Sequence, residues 1–449
     1  MKRILHLGPG NFFRAHQAWY THYANAHGSE TWRITGVSLK SGTARDSLAP
    51  QDCDYTLVIN SVADTDYQRI SVIDKILVGP ENPQAVIDLI ADPATAIVSL
   101  TVTEKGYHID ATTGHLNTSN PDIAAELSDG QPRTAICFLA FGLQKRQQQN
   151  ADPITIISCD NLSDNGATLK KLVQEFDQEA SRGLAGWLGL ADWLKKSVTF
   201  PGTMVDRITP ATTDSLRQEV HQKTGWADAS PVATELFSEW IIEDNFAAER
   251  PAWDQAGAQF VDDVSPFEQR KLRLLNGAHS FLAYAGLYTG HTYVHEAIAD
   301  TVLREAVGEL MLEATATLPA AMQSDAADYC KELIERFANP ALKHELAQIA
   351  GDGSQKLPVR ILSTIADRHS KGATSPRASD AIAYWLVFIH QRSAAGADIN
   401  DPLAKRFAEI QQSSDDRRDK LTAILQTLSP DISLDQNRIL ERAETLLDA

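Results

Sequence analysis

The sequence predicts an α/β fold: an N-terminal, doubly wound, mainly parallel sheet followed by an all-helical C-terminal domain. Three observations predict it. The chain opens on a strand, tight turn, helix, strand progression; apolar strands then alternate with helical stretches; and from about residue 263 the strand pattern gives way to successive amphipathic helices. At 449 residues the chain exceeds one ordinary core, so two domains are expected, spanning 1–262 and 263–449.

The elements justify this in order. "RILHLG" is a short apolar strand, "PGNFFRAHQAWYTHYANAHG" a turn and one amphipathic helix, and "WRITGVSL" a second strand, together a β-α-β unit. "YTLVIN", "RISVIDKILV", "TAIVSLTVTE" and "ITIISCDNL" read as further strands, with helices such as "PQAVIDLIA" and "RTAICFLAFGLQKRQQQ" between several of them. That alternation implies parallel pairing, because a parallel strand needs a crossover to return. Downstream, "LREAVGELMLEATATL", "DYCKELIERFA" and "DAIAYWLVFIHQR" carry helical periodicity. No internal repeat or low-complexity linker marks the boundary, which rests on the change of pattern.

Composition narrows the classes of function. Apolar content of 43% with 22% charged residues fits a soluble globular protein. Lys+Arg 41 against Asp+Glu 59 gives a formal charge of −18, a surface that repels phosphate backbones and anionic lipid. Neither nucleic acid nor membrane is an expected partner. No apolar run reaches the roughly 18 residues of a spanning helix, and "MKRILHLGPG" lacks the apolar region of a secretory leader, so a cytoplasmic location is expected. The four cysteines, Cys53, Cys137, Cys159 and Cys330, are far apart without CxxC spacing. They read as buried thiols rather than a disulfide framework or zinc site, and no metal is expected.

Several segments carry residues suited to chemistry. In "HLGPGNFFRAH", Gly8 and Gly10 lie between the first strand and the first helix, where glycines permit a tight turn and close approach of backbone amides to a pyrophosphate. The third glycine of the Rossmann fingerprint is absent, with Phe13 in its place, so a simple glycine turn is the alternative. After the second strand, "GVSLKSGTARD" places Lys40, Ser41 and Arg45 before the first acid, Asp46, which leaves NADP open beside NAD. "IISCDNLSDNG" ends a strand in Asp160 and Asn161, either facing a ligand crevice or forming an Asx turn that caps the next helix. Asp206 and Arg207 in "FPGTMVDRITP" read either as ligand contacts or as a loop brace.

"FEQRKLRLLNGAH", residues 267–279, is the most unusual segment. On a regular helix Leu274, Leu275, Ala278, Phe281 and Leu282 form an apolar arc, with Asn276 and His279 about 60° apart beside it. Lys271 projects into the apolar arc if the helix includes it, and burial of an amine favours the neutral form that a base requires. Eight residues of α-helix rise about 12 Å, too far for Lys271 to touch His279. A snorkelling lysine beside a core histidine is the plain alternative.

The pattern K-x4-N-x2-H formed by Lys271, Asn276 and His279 resembles the signature of the polyol-specific long-chain dehydrogenases, the mannitol dehydrogenase family. "GPGNFFRAHQAWY", "TVTEKGY", "SCDNLSDNG", "MVDRITP", "IIEDNFAAERPAW", "KLRLLNGAHS" and "NPALKHELAQIAGDGSQKLP" are similar to that family's blocks, in the same order. The resemblance implies a metal-independent NAD(P) enzyme that oxidises a secondary alcohol of a polyol or aldonate to a ketone, and the reverse. By resemblance, Lys271 is the general base, Asn161 and Asn276 donate to the developing alkoxide, His279 orients the hydroxyl and Glu268 links the lysine to solvent. Asp206 is implied in substrate contact, and Gly8, Gly10, Phe12, Phe13, Arg14 and Glu104 in cofactor binding. Lys356 and Arg360 are the expected readers of a substrate carboxylate.

Two departures bear on subgroup. The acid that follows the second strand in NAD-dependent members is not evident, and the chain begins almost at its first strand, unlike several members acting on mannitol. The expected substrate is therefore a small sugar acid or polyol, with D-mannonate/D-fructuronate favoured over D-mannitol/D-fructose or D-arabinitol/D-xylulose. A monomer or homodimer is expected. The alternative of another class, a nucleotide-binding sensor on the same fold, would be marked by loss of the lysine or the asparagines, and all are present.

Overall fold

Strand β1 (Lys2–Leu7) pairs in parallel with β2 (Trp32–Ser38) on one side. These belong to a computed structural model that describes residues 2–28, 30–61, 64–110, 113–149, 152–340, 343–429 and 435–449. The remaining strands of the first unit are β3 (Tyr55–Asn60), β4 (Thr65–Ile70), β5 (Ile73–Val78), β6 (Thr95–Leu100), β7 (Ile154–Ser158), β8 (Val198–Thr199), β9 (Thr203–Asp206), β10 (Val232–Glu235), β11 (Glu239–Glu243) and β12 (Gln259–Val261). Six of them form one sheet in the order β5-β2-β1-β6-β7-β8, parallel throughout. The expected doubly wound parallel sheet is present. Its order reverses between β1 and β6, the position at which such sheets open a ligand crevice beyond their carboxyl ends.

Burial on both faces explains why the central strands read as continuous apolar runs: every residue of β6 and β7 is buried. Leu5, Leu7, Val98, Leu100, Ile154 and Ile156 face one core, filled by helices Pro83–Ala91, Ala135–Gln148 and Asn165–Gly183. Arg146, fully buried on the second of these, donates to the carbonyls of Ile90, Asp92, Thr95, Asp152 and Pro153, tying the helix to the strand ends. Ile4, Ile34, Ile97 and Ile157 face the other core, which takes in Phe13, Tyr20, Trp240 and Trp253.

Two three-stranded sheets contribute to that second core, in the orders β10-β3-β4 and β12-β11-β9. The run "RISVIDKILV", expected as one strand, therefore divides: Arg69 and Ile70 end β4, antiparallel to β3, and Ile73 begins β5 at the edge of the main sheet. The first helix is likewise two, Asn11–Ala15 and Gln17–His27, interrupted where His16 adopts φ −117°, ψ −97°. Its ring lies among Phe12, Tyr20 and Trp240, so packing of the aromatic side chains accompanies the break.

The chain divides into Met1–Ser265 and Pro266–Ala449. The second unit is helical; among its described residues the β structure is the single bridge Tyr293–Glu345. Helices Gly277–Tyr288 and Pro376–Ala394 are its most buried, with Phe281, Leu282, Trp385 and Leu386 essentially inaccessible. Among the described residues no helix is long and apolar enough to cross a membrane. All four cysteines are free; Cys53, Cys137 and Cys159 are buried and Cys330 half-buried.

Candidate active site

Beyond β1 the backbone turns at Gly8, whose φ of +94° suits glycine, and a methyl group there would stand 2.1 Å from the Thr101 carbonyl oxygen. The Gly10 N–H donates to Gly8 O at 2.7 Å, closing the turn, while a methyl group at Gly10 would meet only Gly8 O, at 3.9 Å. The Thr101 hydroxyl, just past β6, donates to Gly8 O at 2.7 Å. Beneath the turn His6 is fully buried, with Nδ1 2.8 Å from Ser99 Oγ and Nε2 2.9 Å from Thr101 Oγ1. Its ring stacks on Phe13 at 3.7 Å, and burial brings its pKa down to about 3, so the imidazole is neutral.

The next loop sits at the carboxyl end of β6 and is strained: Thr103 has φ +64°, a conformation that non-glycine residues rarely adopt. Asp160 holds it, accepting from the N–H groups of Val102 and Thr103, each at 2.9 Å, and from the Tyr107 hydroxyl at 2.8 Å. Burial pushes the Asp160 carboxyl above its ordinary value. Asp160 is thus a brace across the strand ends, and Asn161 beside it is exposed.

Other residues singled out in this unit lie as follows. Phe13 is inside the core and Phe12 half-buried against His16. Arg14 donates to Ser230 O at 2.5 Å, Ser230 Oγ at 2.8 Å and Asn11 Oδ1 at 2.6 Å. Glu104 is exposed at the start of the short helix Glu104–Tyr107. Asp206 ends β9 and is buried; Arg207 donates to the carbonyls of Ala15 and Glu235 and covers the Trp19 ring, a loop brace. Past β2, Arg45 is engaged by the carboxylates of Asp46 and Glu81, and Lys40 is exposed.

In the second unit, helix Ser265–Arg270 passes into a π-helical turn, Lys271–Asn276, and then into helix Gly277–Tyr288. The π-helical turn changes how Lys271 and Asn276 face. Five residues apart on an α-helix are about 140° out of line, whereas i→i+5 bonding brings Asn276 back over Lys271. His279 then follows Asn276 by one α-helical turn. A second π-helical turn, Pro358–Leu362, packs beside Gly277, where an added methyl group would stand 3.3 Å from Arg360 O.

Lys271, Asn276 and His279 are each 8% exposed, so the lysine lies within the helix and is buried. Glu268, three residues earlier, is half-buried. Asn276 Nδ2 and His279 Nε2 are buried with no hydrogen-bond partner among the described residues. The His279 ring meets Phe337 at 4.5 Å and His344 at 5.3 Å. Burial, reinforced by His344, Arg336 and Arg360, holds its pKa well below the ordinary value. Arg360 Nη1 donates to Ser280 Oγ at 3.3 Å, whereas Lys356 donates to Gly351 O at 2.6 Å and lies 3.8 Å from the Asp352 carboxylate. His344 and Arg336 were not singled out from sequence; the histidine inside "NPALKHELAQIAGDGSQKLP" was the available signal. Among the described residues no group of three or more His, Cys, Asp or Glu could hold a metal ion.

Residues 2–255 match the model of the mannitol dehydrogenase Rossmann domain, and residues 263–448 that of the mannitol dehydrogenase C-terminal domain. The chain belongs to the mannitol dehydrogenase family. Within that family it is similar to the D-mannonate oxidoreductase of Escherichia coli (strain K12), 39% identical over 417 residues that cover 91% of this chain and 84% of that protein. The solved mannitol 2-dehydrogenase of Pseudomonas fluorescens, a ternary complex with NAD and D-mannitol, superposes with a TM-score of 0.83 at 34% identity, covering 100% of this chain and 91% of that one. A substrate-free D-sorbitol dehydrogenase superposes with a TM-score of 0.87 at 29% identity, covering 98% and 91%.

Proposed function

We propose that this member of the mannitol dehydrogenase family is an NAD-dependent dehydrogenase that interconverts a secondary alcohol of a sugar acid or polyol and the corresponding ketone, with D-mannonate and D-fructuronate the preferred pair. The observation that carries this reading is the buried Lys271 heading a π-helical turn, with the unsatisfied nitrogens of Asn276 and His279 at and beyond its end.

A base that accepts a hydroxyl proton near neutrality must hold its neutral form, and a buried amine is suited to that. The proposed donors to the oxygen that gains charge are Asn276 and Asn161; His279 orients the hydroxyl, Glu268 relays the lysine's proton, and Asp206 contacts substrate. For the cofactor, the supporting features are the Gly8 turn at the order reversal of the sheet and the uncrowded backbone at Gly10. Bound NAD supplies the acceptor of the hydride. Engagement of Arg45 by Asp46 and Glu81 favours NAD, because a 2′-phosphate would have to compete with two carboxylates for that guanidinium.

The sugar-acid preference rests on Arg360, whose guanidinium faces the Ser280 hydroxyl, and on the likeness to a D-mannonate oxidoreductase. A second reading, D-mannitol and D-fructose, is favoured by Lys356, whose amine is already held by Gly351 O and Asp352. Reduction of fructuronate, tagaturonate, fructose and xylulose with NADH and NADPH separately decides between them. Lys271→Ala is expected to lower kcat by roughly two to four orders of magnitude with NADH affinity unchanged. Turnover near that of the wild type would remove the lysine from its role, and no turnover of any ketone by the wild type would favour the nucleotide-binding sensor.

A further inference from the structure

His344 and His279 meet edge to face in the helical unit, their ring centroids 5.3 Å apart and their planes at 81°. The backbone around His344 is fixed: its carbonyl accepts from Val294 N–H at 3.0 Å, and the neighbouring Glu345 bridges to Tyr293. His344 Nδ1 and His279 Nε2 are both shut off from solvent and without a hydrogen-bond partner among the described residues, as is Asn276 Nδ2 one helical turn before His279. A buried polar atom left unmet is unfavourable, and two such atoms on rings in contact, with a third on the helical turn before, call for a partner.

The charge state of the rings limits what that occupant can be. Burial lowers the pKa of both imidazoles, with His344, Arg336 and Arg360 adding to the effect on His279. Each ring is therefore neutral near pH 7, with one nitrogen that donates and one that accepts. A hydroxyl group has the same two capacities and can meet a donor nitrogen on one ring and an acceptor nitrogen on the other. A carboxylate only accepts, so it fits this pair only if both of these nitrogens carry their ring's proton.

We propose that His279 and His344 together form a hydroxyl-reading subsite, in which one hydroxyl of the substrate donates to one imidazole and accepts from the other, making His344 a specificity-determining residue. The proposal rests on the reading above that this unit takes a polyhydroxy substrate, and it divides the labour within it. The imidazole pair reads a hydroxyl, and any carboxylate is left to Arg360.

The test uses the full chain, NADH, the ketone that the wild type reduces best, and monodeoxy analogues of that ketone, with His344→Asn, His344→Gln and His344→Phe. An asparagine amide can take the place of Nδ1, whereas a glutamine amide reaches toward Nε2. His344→Phe is expected to raise KM about tenfold or more without changing NADH affinity. His344→Asn should recover most of that loss and His344→Gln should not. One deoxy analogue should lose about tenfold in kcat/KM with the wild type and almost nothing with His344→Phe, because the partner of the missing hydroxyl is already gone. Unchanged KM in His344→Phe, or an equal loss on the parent ketone and every analogue, would overturn the proposal and leave the pair a packing contact or a water site. If His344→Phe fails to bind NADH its fold is damaged, and the comparison of His344→Asn with the wild type across the analogues carries the test. Absence of ketone reduction by the wild type would instead defeat the functional reading.

Discussion

A single methyl group separates a working turn from a blocked one at position 8. Gly8→Ala puts that methyl against Thr101 O in a backbone conformation that side chains resist, so either the turn opens or β1 and β6 separate. The variant is expected to be less stable by about 1–3 kcal/mol and to bind NADH more than tenfold more weakly. Urea unfolding and NADH titration check it; unaltered NADH affinity would place the cofactor elsewhere. At this scale, legibility in the sequence depended on locality. Lys271, Asn276 and His279 stand out because they lie on one short segment, where spacing alone shows that an apolar helix carries polar groups. His344 reaches His279 through tertiary packing and carries no such signal. Asp160 stood out as a polar strand end, but its role as a brace did not, since its bonds to Val102 and Thr103 exist only once β7 lies beside β6.

Among the elements, the π-helical turn Lys271–Asn276 is the one most closely tied to chemistry. Such a turn behaves as one extra residue accommodated in an α-helix, so removing a residue should restore α-helical register. Deletion of Leu272, which is half-buried, is expected to leave the fold recognisable by circular dichroism. It leaves Lys271 and Asn276 four residues apart, still on one face of an α-helix, so kcat should stay within about tenfold of the wild type. A loss of several orders of magnitude would show that the π-helical turn itself, and not only the common facing of this pair, is needed. The sequence hid this turn because periodicity was read at 3.6 residues, and on that template the lysine and histidine were too far apart. The division of "RISVIDKILV" was hidden for a similar reason: no glycine or proline marks residues 71–72, and the bend there follows from two different partners, β3 and β2.

For the whole molecule, the parallel sheet and the helical second unit were readable because each imposes its own period over many residues. The two small sheets were not, since their pairings join segments distant in sequence, such as β3 with β10. Buried neutral imidazoles set the response of the whole fold to acid. The pKa of His6 is about 3 and that of His279 lies well below its ordinary value, both lowered chiefly by burial. The unfolded chain takes up protons at these positions as pH falls through about 6.5, while the folded chain does not, so stability present above that pH is lost below it. His6 accounts for about 1.4 kcal/mol of lost stability per pH unit, or roughly 2 kcal/mol between pH 6.5 and 5, and His279 acts in the same direction. The raised carboxyls of Asp160, Glu126 and Glu313 act in the opposite sense. Their window runs upward from the ordinary carboxylate values, so they offset part of the histidines' effect. Thermal unfolding at pH 5 and 7 should therefore show a clear fall in Tm on acidification, and a flat response would contradict neutral burial of these rings.

Parallel pairing of β3 with β10 also constrains synthesis on the ribosome. β3 emerges early, yet one of its two neighbours, beginning at Val232, is made much later. A nascent chain stalled before that point leaves one edge of β3 without its partner, and exposed strand edges recruit other chains. The first unit can complete this small sheet only when translation is about half done, so the interval before β10 appears is when the growing polypeptide most needs a chaperone.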